Sequence, residues 1–253
     1  MPEITGGTAE TRGTAETRGT AGTGGTAETG VFLQVRLDSS RLPRKALLML
    51  EGKAVIAHAM EALKAVEADV YALLTDRESE ASLLPFAETC GFEVFTGPRD
   101  DVLERYALAA EYYGVSTIIR ATGDNPLVSG ECAQMLLDLY RQREADYSGF
   151  RGLPLGTGVE CVRTAALLTA RRQTRNEYDR EHVCPYLYNH PDMFTIYRPP
   201  APPECYGPQL RVTLDTREDF ERLRMIYREL YRGGPIPTAT LVRELPHSIY
   251  AAG

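Results

Sequence analysis

Apolar runs alternate with amphipathic segments from residue 31 onward. Val31–Val35 is a short apolar run and reads as a strand. Residues 53–66 place Val55, Ile56, Ala59, Met60, Leu63 and Val66 at helical spacing. "DVYALLT" (69–75) returns to a strand pattern, and residues 79–90 read as a helix that Gly91 can cap. "FEVF" (92–95) is a short strand. "DDVLERYALAAEYY" (100–113) is a helix with two acids in its first turn, which suits the helix dipole, and Gly114 ends it. "VSTIIRA" (115–121) is the next strand and residues 130–143 the next helix.

This β-α-β-α order predicts an α/β fold, a mainly parallel sheet with helices on both faces. Ligands of such sheets lie beyond the C-terminal ends of the strands, near a switch point. The second half is less regular. "GVECV" (158–162) reads as a strand and 163–172 as a helix. "EHVCPYLYNH" (181–190) starts as a helix with Pro185 near its first turn, and "PPAPPE" (199–204) is a proline-rich crossing. "LRVTLDT" (210–216) reads as a strand running into a helix at 217–230. This half is expected to add strands to the same sheet and a small substrate or dimer lobe.

Residues 1–30 differ. "GTAETRGTAETRGTAGTGGTAETG" (7–30) repeats a six-residue unit of Gly, Thr and Ala, with no large apolar residue after Ile4. Such a segment buries too little to offset the entropy of ordering. It is expected to be a disordered tail, with an expanded coding repeat or a mis-set start as its plainest origin; residues 31–253 form the domain.

The 253 residues, 43% of them hydrophobic, suffice for one sizeable core. A net charge of −7 and a pI of 5.3 argue against general nucleic-acid binding. Cys90, Cys132, Cys161, Cys184 and Cys205 are odd in number and form no Cys-x-x-Cys pair, so they read as scattered thiols in a reducing compartment. No apolar run approaches the roughly 20 residues that span a bilayer, and the N-terminus lacks a signal-peptide core. The expectation is a cytoplasmic protein without membrane or nucleic-acid partners.

Against that acidic background, "QVRLDSSRLPRK" (34–45) gathers four cations and two hydroxyls just past the first strand. A local basic cluster on an acidic protein fits a small anionic ligand. Arg36 and Arg41 offer planar paired donors and Lys45 a point charge. Ser39, Ser40 and backbone N–H groups can cradle phosphoryl oxygens. Neither a Walker A loop nor Gly-x-Gly-x-x-Gly is present. A solvated loop with incidental cations is the plain alternative, and it suits Arg44 better than its neighbours.

"TGDNPL" (122–127) sets Asp124 in a turn after a strand, as a magnesium ligand or as an ordinary Asp turn. "VTLDT" (212–216) ends in Asp215, which reads as a helix cap when alone and as a shared metal site when paired with Asp124. "YDREHV" (178–183) concentrates Asp179, Arg180, Glu181 and His182, for an acceptor, a dimer mate or merely a charged helix start. Glu160 lies in an apolar run and needs a partner or a ligand. His58, on an apolar helix, reads as packing.

Together these motifs resemble the cytidylyltransferase family related to spore coat polysaccharide biosynthesis protein F, with the acylneuraminate and deoxy-octulosonate cytidylyltransferases. Gln34 to Lys45 matches the form Gln-Ala-Arg-x-x-Ser-x-Arg-Leu-Pro-x-Lys apart from Val35. "DDVLERY" (100–106), "IRATGDNPL" (119–127), "REHVCPYL" (180–187) and "RVTLDTRED" (211–219) follow in order. The resemblance spans about Val31 to Leu230.

It implies a three-layer, Rossmann-like nucleotide-diphosphosugar transferase fold. It also implies a CTP-dependent nucleotidylyltransferase that transfers CMP to a sugar, sugar acid or phosphorylated acceptor, releases pyrophosphate and serves surface-glycan synthesis. Mg²⁺ is the implied cofactor, and relatives suggest a homodimer. Arg36, Ser40, Arg41 and Lys45 would hold the triphosphate, with Arg36, Arg41 and Lys45 as the catalytic cations. Gln34, Ser39, Arg120 and Gly123 would complete the nucleotide contacts. Asp124 and Asp215 would hold metal. Glu160, Arg180, Glu181 and His182 would face the acceptor or a subunit edge.

Asp38 and Arg44 stand where relatives usually carry Gly, and "PLGTGVE" (154–160) lacks acids at Leu155 and Gly158. Two other readings stay open. One is a glycosyltransferase, although no Asp-x-Asp motif lies near Asp124. The other is a catalytically idle nucleotide-binding subunit.

Overall fold

A computed structural model describes residues 28–245. The expected disordered tail therefore lies, for residues 1–27, outside the described residues. Thr29 and Gly30, read with the repeat, belong instead to strand β1 (Thr29–Gln34).

The first half alternates as its pattern predicts. After β1 come a small hairpin, β2 (Met49–Leu50) and β3 (Lys53–Ala54), and helix α1 (Val55–Leu63). Then follow β4 (Val70–Thr75), α2 (Arg77–Cys90), β5 (Glu93–Thr96), α3 (Val102–Tyr113), β6 (Thr117–Thr122) and α4 (Gly130–Arg143). Helix starts are set by side chains that accept orphan backbone N–H groups. Asp76 accepts from Ser79 at 2.8 Å, Asp101 from Glu104 at 2.9 Å and Ser129 from Cys132 at 3.2 Å. The Asp76 cap places the start of α2 two residues before the expected 79.

The second half supplies β7 (Tyr147–Ser148), β8 (Glu160–Arg163), α5 (Thr164–Gln173), α6 (Glu177–His182), α7 (Pro185–Asn189) and β9 (Ile196–Tyr197). It ends with α8 (Arg217–Leu230) and α9 (Thr238–Glu244). The seven-stranded sheet runs β5-β4-β1-β6-β8-β7-β9. The pairs from β5 to β6 are parallel, and β8 turns antiparallel against β6. The second half thus does extend the same sheet.

Alternate residues of β1 feed opposite cores. Val31 and Leu33 pack with Met60 and Leu63 of α1 and Leu136 of α4. Phe32 packs with Leu103 and Tyr106 of α3 and Leu167 of α5. A strand buried on both faces must be apolar throughout, which is why β1 shows a continuous run rather than alternation.

Two expectations change. Residues 181–190 are not one helix: Val183, at φ 74°, separates α6 from α7, and Pro185 opens the second. A proline in the first turn forfeits no helical hydrogen bond but cannot continue a helix from before it. Residues 210–216 form no strand. Their apolar set, Leu210, Val212 and Leu214, packs on Leu223 and Ile226 of α8. The segment makes one isolated parallel bridge, Leu155 to Arg211. Gly156 permits this crossing: its φ is +104°, and a Cβ there would lie 2.9 Å from the Thr213 nitrogen.

His58 packs, as its helix suggested. It is buried, with Nε2 2.9 Å from the Leu50 carbonyl and its ring 4.5 Å from that of Tyr227. Burial pushes its pKa below the ordinary 6.5, only partly offset by the Leu50 carbonyl. The neutral ring is therefore favoured in the fold, while the unfolded chain takes up a proton near 6.5. Stability is expected to fall as pH drops from about 6.5 toward the folded pKa, and to level off below it. Urea unfolding across pH should show this slope, and His58→Gln should flatten it.

Candidate active site

β1 and β6 end side by side, with Gln34 in register with Thr122. The Gly123 N–H donates to the Gln34 carbonyl at 2.7 Å. A Cβ at Gly123 would lie 2.3 Å from Ile56 Cδ1, so a glycine is what lets the two strand ends meet. The loops after these strands, 35–45 and 123–129, leave from the same sheet edge.

The first loop is closed by the Arg44 N–H donating to Leu37 O at 3.0 Å. Arg44 takes a left-handed conformation, φ 55°. That backbone favours glycine, and a side chain there costs about 1–2 kcal/mol. Its guanidinium reaches Ser82 Oγ at 3.3 Å, away from the other cations. The short 3₁₀ turn Lys45–Leu47 then carries Lys45 inward.

Lys45 is the meeting point. Its Nζ donates to Leu214 O at 2.7 Å and lies 2.7 Å from Asp124 Oδ2 and 3.0 Å from Asp215 Oδ1. Asp215 also meets Arg41 at 3.2 Å and Arg211 at 3.0 Å. Burial alone would raise the Asp215 pKa, but Lys45, Arg41 and Arg211 outweigh it and hold the carboxyl below its ordinary value. Asp215 is free for this because it is not the cap of α8. Thr216 caps that helix in a reciprocal box with Asp219, whose carboxylate accepts the Asp215 and Thr216 N–H groups at 2.9 Å each.

Arg36 lies 3.4 Å from Asp38 and 3.7 Å from Glu181. Glu181 thereby links the end of α6 to the basic loop. Ser39 is half-buried and Ser40 exposed. His182 stacks on Tyr178, ring centres 4.3 Å apart, at the surface of α6. Arg180 stands apart from them. It pairs with Asp101 at 2.6 Å and donates to Arg171 O and Thr174 O, clamping α6 to α3 and α5.

A second cluster lies on the sheet itself, near the C-terminal end of β6. Arg120 pairs with Glu160 at 2.5 Å across the β6–β8 register, and the Tyr147 hydroxyl donates to Glu160 at 2.7 Å. Glu160 thus has the partner its apolar setting demanded. Arg120 keeps company with this carboxylate rather than with the basic loop. These three side chains line a cavity of about 390 Å³ together with Thr122, Asn125 and Arg198. Asp124 lies in the chain between two of the lining residues, so the cavity opens beside the Lys45 junction. Arg120 Nε and Thr213 Oγ1, both lining residues, are buried without a hydrogen-bond partner.

Sequence reasoning missed Arg211, Tyr147 and Arg198. Arg211 stood in a quoted block, "RVTLDTRED", but only the structure shows that it shares the Asp215 carboxylate.

A basic loop and two carboxylates at the C-terminal edge of a parallel sheet define a nucleotide-handling α/β protein. The family model for cytidylyltransferases matches residues 31–233. The chain belongs to that family and, with it, to the nucleotidyltransferase enzymes. It is 30% identical to spore coat polysaccharide biosynthesis protein SpsF of Bacillus subtilis, over 87% of this chain and 95% of that one. A cytidylyltransferase structure from Leptospira borgpetersenii superposes with a TM-score of 0.78 at 27% identity, covering 85% of this chain and 92% of the other. CMP:2-keto-3-deoxy-manno-octonic acid synthetase complexed with CTP shares the fold, with a TM-score of 0.62 at 16% identity over 80% and 99% of the two chains. So does Rv0371C of Mycobacterium tuberculosis in complex with manganese, with a TM-score of 0.58 at 16% identity over 79% and 99%. The fold is the three-layer nucleotide-diphosphosugar transferase fold that the resemblance implied.

Lys45→Met should keep the buried stem but leave Asp124 and Asp215 facing each other without their shared cation. A loss of about 1–3 kcal/mol in urea unfolding at neutral pH is expected in metal-free buffer. The loss should shrink under acid, as the Asp215 carboxyl that Lys45 helps hold ionised takes up a proton.

Proposed function

We propose that this chain transfers CMP from CTP to a small sugar, sugar-acid or phosphorylated acceptor, with the loop 34–45 receiving the triphosphate. The observation that carries the reading is the Lys45 junction. One ammonium from the basic loop sits between two carboxylates that come from two other segments.

In this reading an acceptor oxygen attacks the α-phosphorus of CTP. A new P–O bond forms, the bond to the β-phosphate oxygen breaks, and pyrophosphate leaves with that electron pair. The protein contributes positioning and charge neutralisation rather than a covalent intermediate. Arg36, Arg41 and Lys45 would exchange their carboxylate partners for phosphoryl oxygens. The Arg120–Glu160–Tyr147 cavity would receive the acceptor beside the α-phosphate. The acid acceptor named for the octonic acid synthetase is the first class to try, and the polysaccharide role named for SpsF points toward a surface glycan.

Asp124 and Asp215 are suited to a hard divalent cation. Their oxygens already converge on one positive centre, Lys45 Nζ. Among the described residues no group of three or more His, Cys, Asp or Glu side chains forms a metal cluster. Two carboxylates are what Mg²⁺ takes when substrate oxygens fill the remaining positions. Bound there, Mg²⁺ would neutralise charge growing on the phosphoryl oxygens. No described helix is long and apolar enough to cross a membrane.

Asp124→Asn keeps the size and turn geometry but removes the charge. Pyrophosphate release should be followed across a magnesium titration, with 2-keto-3-deoxy-manno-octonic acid, N-acetylneuraminate and sugar phosphates as acceptors. Turnover is expected to fall about 10²–10³-fold while CTP binding without metal changes little. Asp215→Asn should behave alike, and the double variant should be little worse than either. Wild-type rates for Asp124→Asn at limiting magnesium would remove the metal assignment.

A further inference from the structure

The loop after β1 contains a carboxylate where a triphosphate is to be received. Asp38 lies two residues from Arg36 and three from Arg41. Ionised and unpaired, it would repel the phosphates that its neighbours attract.

Asp38 is not unpaired. Its Oδ2 is held by Arg99, and its Oδ1 lies 3.4 Å from Arg36 Nε. Arg99 comes from the loop between β5 and α3, 61 residues along the chain. Its other terminal nitrogen meets Glu78 at 2.7 Å, so the guanidinium is gripped from two sides.

The backbone that presents Arg99 is fixed from inside the protein. Arg105 is fully buried. It donates to Pro98 O at 3.0 and 2.6 Å and to Arg99 O at 2.7 Å. Gly97 is packed against it, since a Cβ there would lie 2.8 Å from Arg105 Cγ. A buried cation thus spends its hydrogen bonds on the carbonyls of the loop that carries Arg99.

This anchoring has little to offer stability through the pair itself. The Arg99 side chain is 42% exposed and that of Asp38 35%, and exposed ion pairs contribute little. Its consequence is electrostatic and local to the phosphate loop.

We propose that Arg99 is a positioning residue for nucleotide binding: it holds Asp38 and offsets its charge, so that this carboxylate does not oppose a triphosphate in the loop. The inference rests on the reading of loop 34–45 as the triphosphate site. Its distinguishing consequence is that Asp38 opposes CTP only when Arg99 is missing.

The test is a double-variant cycle read by calorimetric titration of CTP and of CMP into the full chain, at low and high ionic strength. Arg99→Ala should weaken CTP about tenfold and CMP less, because repulsion grows with ligand charge. High salt should shrink the deficit. Arg99→Lys should remain within about threefold of wild type, because it keeps the charge. Asp38→Gly placed on Arg99→Ala should recover binding to within about threefold of wild type, the non-additivity expected of a directly coupled pair. A merely structural role for Arg99, or a direct contact from Arg99 to phosphate, would not be rescued by removing Asp38.

Wild-type CTP affinity in Arg99→Ala would overturn the proposal. So would a double variant as weak as the single, or a loss of CTP binding in Asp38→Gly alone. Lys45→Ala, titrated in parallel, separates the two levels. If it leaves CTP binding unchanged, the triphosphate reading itself fails; if it weakens CTP while Arg99→Ala does not, only the role of Arg99 fails.

Discussion

The site depends on one ammonium group between two carboxylates. Lys45 Nζ gathers Asp124, Asp215 and the Leu214 carbonyl, three groups from two segments that are distant from it in sequence. Each arrives by a different structural device. The left-handed Arg44 turns Lys45 inward. The Gly123 contact brings the end of β6 against the end of β1. The Thr216–Asp219 box starts α8 one residue late enough to leave the Asp215 side chain free. Shifting any of these by one residue would separate the charges, and a buried charge without its partner is costly.

The same arrangement would make nucleotide binding, as proposed, an exchange rather than an addition. Arg36 is held by Asp38 and Glu181, Arg41 by Asp215, and Lys45 by both metal-site candidates. Under the proposed function a triphosphate that takes these cations would release carboxylates, and the released carboxylates would need a cation of their own. A divalent ion arriving with the nucleotide would meet that need. The net free energy is a difference between two paired states, so affinity for nucleotide and for metal should rise and fall together. The low pKa of Asp215 fits this scheme. The neighbouring cations favour its ionised form, so no proton would have to leave if a metal ion replaced them.

Much of this was legible from local pattern. The alternating elements of the first half, the basic loop past β1 and the two aspartates that follow apolar runs were all readable, because each is a short-range signal. What escaped were decisions made at long range. "LRVTLDT" alternates like a strand, yet its apolar face meets α8 rather than a neighbouring strand, and tertiary packing overrides the pattern. Arg180 sits beside Glu181 in sequence, but helical geometry sends one toward α3 and the other toward Arg36. Asp38 stood out only as a departure from the usual glycine of relatives, because its partner, Arg99, lies 61 residues away. A charge can be judged only with its neighbours, and the sequence orders neighbours by chain rather than by space.

The sheet itself places the two halves of the site. Strands β5, β4, β1 and β6 run parallel, and β8 reverses direction against β6. The strand order also reverses within the parallel part, with β4 on one side of β1 and β6 on the other, and such a switch point opens a crevice beyond the ends of β1 and β6. On the parallel side lie the basic loop and Lys45. On the reversed side lie Glu160 and Tyr147, delivered by β8 and β7. β6 belongs to both: Arg120 reaches into the Glu160 cluster, and Asp124, just past the strand's end, reaches Lys45. A reaction that joins a nucleotide on one side to an acceptor on the other needs its transfer point at the shared strand. Under the proposed function the carboxylate at that point would be Asp124, which shares Lys45 with the basic loop and so would couple the two halves of the chemistry.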